Sequence, residues 1–469
     1  MISLKRQKEA TFHAPAAKWW QAIGFCFLMS LVGLRLYPLI LILLMFFIWI
    51  WRKDRYYFTI EIMLLIGSFG LMPFNVLPMR IADVCVPLGL LMILIYRKTK
   101  PLKLITLAML AYFAAIILIA STSLESMSVQ FFRMRNYLTI AVFFIPLLIF
   151  ANHRFEWPNF IEALTTHALV LCAFYVIDTF IFGGFVLLPG AVGGGITSSI
   201  FELFIGHPMI RHYPPGLYLL IPLIPALNYG NLRLSWAQWL LIFLALYASR
   251  TNSLLFALIV CWVAFRPRVR QIAVYSLGAA LLLFAGYFID KSTGGNLRLA
   301  ENIDQFSALE AAQDDEDLAE FGTGRMAQIL PKWELLTDMH RLHLGFGFLH
   351  PEKSTNPKFQ IRNDYYTDVT QAEEVATEVE VTQVQTILDI GFIGLIIQML
   401  FYVGVYFIIR PMAHSRYYLC TLTGISVLGI GGFAGLNNIH GLTLLAFILG
   451  GILCSNKPLN NQPQKLLTE

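Results

Sequence analysis

Charged residues are scarce in this chain. Asp, Glu, Lys and Arg make up 13% of its 469 residues, while 57% are hydrophobic. Water-soluble domains carry about 25% charged residues, and a soluble fold of this length could not hide so much apolar surface. Cysteine is sparse as well. The six are Cys26, Cys85, Cys172, Cys261, Cys420 and Cys454. All fall in apolar segments or just after the last one, which argues against a disulfide framework and offers no metal-ligand spacing. They read as small buried apolar side chains. Internal repeats and low-complexity tracts are lacking. The stretch Met1–Trp20 is basic and polar, and no small-residue cleavage site follows the first apolar block, so no cleavable signal peptide is expected. The glycine-rich run at 190–195 has no phosphate-loop pattern after it. The acidic run Gln313-Asp314-Asp315-Glu316-Asp317 lacks the Gly and the terminal Glu of a calcium loop and reads as a solvated helix face or turn.

What the chain has is apolar blocks, many approaching the roughly 20 residues that cross a bilayer. Spans are expected near 19–34, 38–51, 56–74, 82–96, 104–122, 138–151, 161–184, 216–229, 239–249, 251–265, 272–289, 384–409, 419–433 and 442–453. The expected fold is therefore an all-α integral membrane protein with about 14 transmembrane helices (12–14). Alternate connections are basic: Arg52, Lys53 and Arg55; Arg97, Lys98, Lys100 and Lys103; Arg266, Arg268 and Arg270; Arg410 and Arg416. The positive-inside rule makes these cytoplasmic, together with both termini. Four parts follow: an N-terminal transmembrane bundle (1–289), an outer-side loop (290–383), C-terminal transmembrane helices (384–453) and a cytoplasmic tail (454–469). The outer loop carries 18 Asp or Glu against 8 Lys or Arg. It is too long for a structureless connector and is expected to form a mostly helical cap. Within it Trp333, Leu336 and Met339 or His340 recur at helical spacing, after Pro331.

Topology accounts for the cytoplasmic Arg and Lys residues but not for Arg35, Arg80, Arg133, Arg135, Arg211 and Arg250 on the outer side, or for those of the large loop. An ionisable residue at membrane depth is a functional hypothesis by default. Arg250 lies in Ser249-Arg250-Thr251-Asn252-Ser253, between two apolar spans. Its guanidinium must be paired, face water or hold an anion, and its planar fork suits phosphate. The plain alternative is a snorkelling interfacial arginine. Arg211 sits directly before a span, where a lipid-interface anchor is the alternative. Arg325 follows Gly322-Thr323-Gly324, and downstream come His340, His343, Gly345-Phe346-Gly347 and His350. These three histidines stand on a segment broken by glycines, without matching carboxylates. Hydrogen-bonding surface histidines are the plainer reading than metal ligands, and an acid–base or acceptor-binding role is the third. Glu380 closes the acidic loop at the start of the next span, where desolvation or neighbouring arginines would shift its proton affinity.

Three blocks together resemble the O-antigen ligase / O-antigen polymerase (Wzy-type) superfamily of bacterial cell-envelope glycosyltransferases. They are Ser249-Arg250 with Leu254-Leu255; Arg325 … Trp333 … Gly345-Phe346-Gly347; and Asp389-Ile390-Gly391-Phe392-Ile393-Gly394-Leu395. The resemblance covers roughly 205–409. It implies a GT-C-like architecture and work at the outer face of the inner membrane, with no cofactor, no metal and no nucleic acid. The implied donor is a glycan on a polyprenyl pyrophosphate lipid, and the implied partners are a glycan acceptor and the bilayer. A flippase and a chain-length regulator are further candidate partners. By resemblance Arg250 and Arg325 would hold the pyrophosphate, with Arg211 as a third candidate, and Glu380 would be the general base. His340, His343 and His350 are candidate acceptor-side residues. Ligases usually carry a His-Asn pair where this chain has Glu380-Val381. That departure ranks polymerase above ligase, and a transporter without bond chemistry remains the alternative class.

Overall fold

The computed structural model describes residues 10–11, 14–33, 39–67, 81–95, 99–123, 127–183, 187, 192–197, 209–213, 216–229, 232–249, 252–264, 269–292, 325–348, 381–430 and 435–455. Helices dominate because apolar runs without ionic breaks satisfy their backbone locally. In chain order they are α1 (Ala16–Gly33), α2 (Leu39–Lys53), α3 (Arg55–Gly67), α4 (Ile81–Ile95), α5 (Lys100–Ser121), α6 (Met127–Leu138), α7 (Phe144–Ile149), α8 (Trp157–Phe182), α9 (Leu220–Tyr229), α10 (Trp236–Ser249), α11 (Asn252–Ala264), α12 (Val269–Ser292), α13 (Arg325–Asp338), α14 (Thr382–Ile409), α15 (Ser415–Ile430) and α16 (Ile439–Ser455).

The purely helical expectation needs one addition. Two short strand pairs occur: β1 (Ala10–Thr11) runs parallel to β4 (Leu232–Arg233), and β2 (Val192–Thr197) pairs antiparallel with β3 (Met209–Tyr213). The second pair has an irregular register between Gly193 and Ile196.

Among the described residues three helices are long and apolar enough to cross a membrane: α5, α8 and α14. At 1.5 Å per residue the part of α14 from Phe392 to Ile409 is about 27 Å long, close to a hydrocarbon core of about 30 Å. Trp236–Ser249, Ser253–Val263 and Ile439–Ser455 are shorter apolar helices. The segment expected as a span at 138–151 is built differently. A 3₁₀ stretch, Thr139–Phe143, joins α6 to the six-residue α7, so the helical rod starts at Met127 and includes Arg133 and Arg135. Charge made 123–137 read as a connection, but one of those charges is neutralised inside the protein.

α8 is buried along most of its length and packs against α1, α3, α9 and α10. α16 lies against α3, α7 and the 3₁₀ stretch, and α11 pairs with α15. On α5 the Tyr112 ring stacks on Phe401 of α14, with centroids 4.5 Å apart and planes at 3°. All six cysteines are free, and all but Cys85 are buried. Several helices keep an apolar outer face. On α12 it comprises Val274, Leu277, Leu281, Phe284 and Phe288; on α14, Ile396, Leu400, Val403 and Phe407. Apolar stripes of this extent on the outside are the arrangement lipid accepts and water does not.

Of the large loop the described part is 290–292, 325–348 and 381–383. Here α13 packs on the first turns of α14 and makes a small core of its own. Leu336, Phe346, Ile387 and Leu388 are buried in it, with Trp333, Met339 and Val384 around them.

Candidate functional site

The site begins at a break in α14. Gly391 has φ 68° and ψ −177°, which is not helical, so the helix is two rods meeting at one residue. A break leaves carbonyls and amides without helical partners. The turn after α13 supplies them. The amides of Phe346 and Gly347 donate to the carbonyls of Leu388 (2.7 Å) and Asp389 (3.0 Å). In return the amides of Phe392 and Ile393 donate to the carbonyls of Leu342 (3.0 Å) and His343 (3.2 Å). The approach is close enough to require glycine on both sides. A Cβ on Gly391 would stand 2.2 Å from the His343 carbonyl, and a Cβ on Gly345 (φ 71°) would stand 2.6 Å from the Asp389 carbonyl carbon. The Gly345-Phe346-Gly347 block and the Asp389-to-Gly394 block of the sequence thus interlock.

The turn is fixed from within. Arg341 donates through Nε to the Gly345 carbonyl (2.7 Å) and through Nη2 to the Thr122 carbonyl (3.0 Å), tying it to the end of α5. Partial burial pulls the Arg341 guanidinium below its ordinary value. The Ser123 hydroxyl donates to the Phe346 carbonyl (2.7 Å). His340 terminates α13: its φ is 54°, and the next amide, Arg341, reaches back to the Leu336 carbonyl (2.9 Å). That is the left-handed helix stop.

A buried carboxylate sits at the break itself, just before Ile390 and Gly391. Asp389 is 1% exposed. Its Oδ2 accepts from the Tyr137 hydroxyl (2.8 Å) and lies 3.1 Å from Arg133 Nε, while its Oδ1 accepts from Gln385 Nε2 (2.9 Å). The Arg133 side chain is 11% exposed. Three donors, Arg133, Tyr137 and Gln385, thus converge on this one buried carboxylate. Its chemistry is to orient the guanidinium and to fasten α6 to α14. Around the start of α14 further polar groups gather: Gln383 donates to the Ser426 carbonyl (2.8 Å), and Asn437 to the Thr382 carbonyl (3.4 Å).

No protein-family model, curated protein or solved structure matches this chain.

The residues expected from sequence fall as follows. Glu380, Arg250 and His350 lie outside the described residues. Glu380 directly precedes Val381, the N-cap of α14. Arg325 is the first residue of α13, and Arg211 lies on β3, which packs against α8 and α10; in both cases only the backbone is described. α10 ends at Ser249, directly before Arg250. His340 and His343 are exposed. Among the described residues no three His, Cys, Asp or Glu side chains converge as a metal site. Asp389, Tyr137 and Gln385 are the additions. Local sequence does not reveal their partnership, since Arg133 and Asp389 are 256 positions apart. A carboxylate seven residues inside an apolar helix is nevertheless a legible signal.

Proposed function

We propose that this chain is a membrane glycosyltransferase that polymerises polyprenyl-pyrophosphate-linked repeat units into a surface polysaccharide at the outer face of a bacterial inner membrane. The observation that carries the reading is the interlock at Gly391. Two of the three blocks on which the resemblance rests meet there through four backbone hydrogen bonds. Blocks that belong to one site should meet in space. In this reading about 14 helices span the membrane in a GT-C-like arrangement, both termini are cytoplasmic, and 290–383 caps the outer side.

An acceptor sugar hydroxyl attacks the anomeric carbon of the donor, the glycosidic bond forms, and the lipid pyrophosphate leaves. The chemical demand is to stabilise charge growing on that leaving group, which preorganised arginines do in a partly dry site. Arg250 and Arg325 are assigned to the pyrophosphate, with Arg211 as a third candidate, and Glu380 takes the acceptor proton. His340, exposed at the end of α13, and His343 are on the acceptor side.

The glycan profile of a deletion strain tests the reading. Single repeat units on the lipid acceptor are expected. Long polymer left on the carrier lipid would instead mark a ligase, and an unchanged profile would refute both. A transporter reading has one observation in its favour: a discontinuous helix beside buried charges. That class is marked by matched breaks in repeated halves, and α14 supplies one break.

A further inference from the structure

The most deeply buried ionisable pair of the described bundle is far from the α14 break along the chain and is not among the residues assigned to the proposed transfer. Glu61 of α3 and His167 of α8 are both 0% exposed, with Oε1 and Nε2 3.3 Å apart. The other ring nitrogen, Nδ1, is 2.8 Å from the Ala163 carbonyl. A carbonyl only accepts, so Nδ1 carries a hydrogen. That leaves Nε2 facing the carboxyl group, and the number of protons between them is constrained. With none, a bare carboxylate would face a lone pair in a dry site. With two, an imidazolium would face a protonated acid. Either state puts an uncompensated charge in the interior. With one, the pair is neutral whether it is drawn as an acid against an imidazole or as an ion pair.

Polar groups stand between the pair and the protein surface. Lys18 of α1 bridges Asp54 (3.2 Å) and Glu162 (3.0 Å), all partly exposed. One step in, the Tyr57 hydroxyl donates to Thr166 Oγ1 (2.8 Å), and the Tyr57 ring lies 5.2 Å from that of His167. Glu61 is seven residues beyond Asp54, about 10 Å along a helix. The groups acting on the pair are Gln21 and Cys26 from α1, Asp54 from the turn before α3, and Tyr57 of α3, with the Phe25 ring against His167. Lys18 and Glu162 act one shell further out, on Tyr57.

We propose that Glu61 and His167 form a binding site for a single proton, and that this proton locks α3 to α8. The site is independent of the glycosyl-transfer reading. Loss of the proton or gain of a second opens the joint, so each adds a limb to the pH profile of stability.

The test uses the full-length protein in detergent micelles, with unfolding followed from acid to alkaline pH. The wild type should show a plateau with a limb on each side, each worth about tenfold in the folding equilibrium per pH unit for one proton. Glu61→Gln should lose the pair's alkaline limb, because an amide has no acid proton to release yet can still donate to Nε2. His167→Gln should lose the acid limb, because no imidazole remains to be charged. Limbs unchanged in both variants would overturn the proposal. If either variant fails to fold, nitrogen NMR of wild type labelled in histidine decides. One ring should keep a protonated Nδ1 in the hydrogen bond to the Ala163 carbonyl throughout the plateau. If instead every ring titrates near the ordinary value of about 6.5, the site does not exist.

Discussion

Substituting Gly391 by alanine is the most direct test of the interlock. The backbone there, at φ 68° and ψ −177°, is a conformation that side chains other than glycine's rarely adopt. Forcing a residue into such a region costs about 1–3 kcal/mol. The added Cβ would also lie 2.2 Å from the His343 carbonyl and 2.4 Å from the Leu344 nitrogen, so the turn at 341–348 must move away. Four backbone hydrogen bonds cross this contact, and each is worth roughly 1 kcal/mol net. Strain relief and the loss of two of them give about 4 kcal/mol, close to a thousandfold in the docking equilibrium at 1.4 kcal/mol per decade. Hydrogen exchange reads this directly: the amides of Phe346, Gly347, Phe392 and Ile393 should exchange far faster in Gly391→Ala. Gly404 lies on the same helix, and a Cβ there meets nothing within 4 Å. Gly404→Ala should therefore leave exchange unchanged and add up to about 1 kcal/mol of helix stability. Equal exchange in the two variants would refute the reasoning.

Three further outcomes are expected. Asp389→Asn leaves Arg133 without its carboxylate and should cost about 3 kcal/mol of stability, with the Asp389→Asn/Arg133→Ala double variant less than additive in denaturation. His414, in the turn after α14, stacks on Trp157 at 4.9 Å, and burial lowers its pKa. A base whose folded pKa is depressed contributes stability that is fully present above the unfolded value of about 6.5 and is lost as pH falls from there toward the folded value; His414→Phe should keep the stack and flatten that acid-side loss in thermal unfolding. Under the proposed function Glu380→Gln should slow polymerisation by about 10²–10⁴ while Glu378→Gln is nearly silent, and equal loss in both would assign the effect to loop charge rather than to a base.

The helices were the legible part, because apolar length is written locally. Helical periodicity also placed Trp333 and Leu336 on the packed face of α13 and Met339 just past its end against the same small core, with exposed His340 left to stop the helix. What local sequence hid was which charges are neutralised inside. Arg133 and Arg135 made 123–137 look like a connection, but Arg133 is paired with Asp389, so the helical rod begins at Met127. The break at Gly391 was hidden for a related reason. Ile390-Gly391-Phe392 reads as the interior of one apolar helix, and the distant Gly345 turn supplies the hydrogen bonds that let the backbone open. Glu61 and His167 each look like isolated polar residues within apolar runs, and their partnership exists only once α3 and α8 pack.

The geometry of the break also bears on which class of function the chain has. A transporter needs a discontinuous helix that can rock, with its freed backbone groups available to an ion or substrate. In α14 two carbonyls and two amides at the break are taken by the 341–348 turn. That turn is itself tied to α5 by Arg341 and Ser123. Moving one half of α14 against the other would break several of these bonds together. An enzyme that stabilises a charged leaving group has the opposite need, since its donors gain most when they are fixed before the reaction starts. Arg325 opens the helix that leads into this turn, and Glu380 immediately precedes the N-cap of α14. Both proposed reacting-side residues therefore enter elements that the interlock joins, which supports a preorganised site over a moving one.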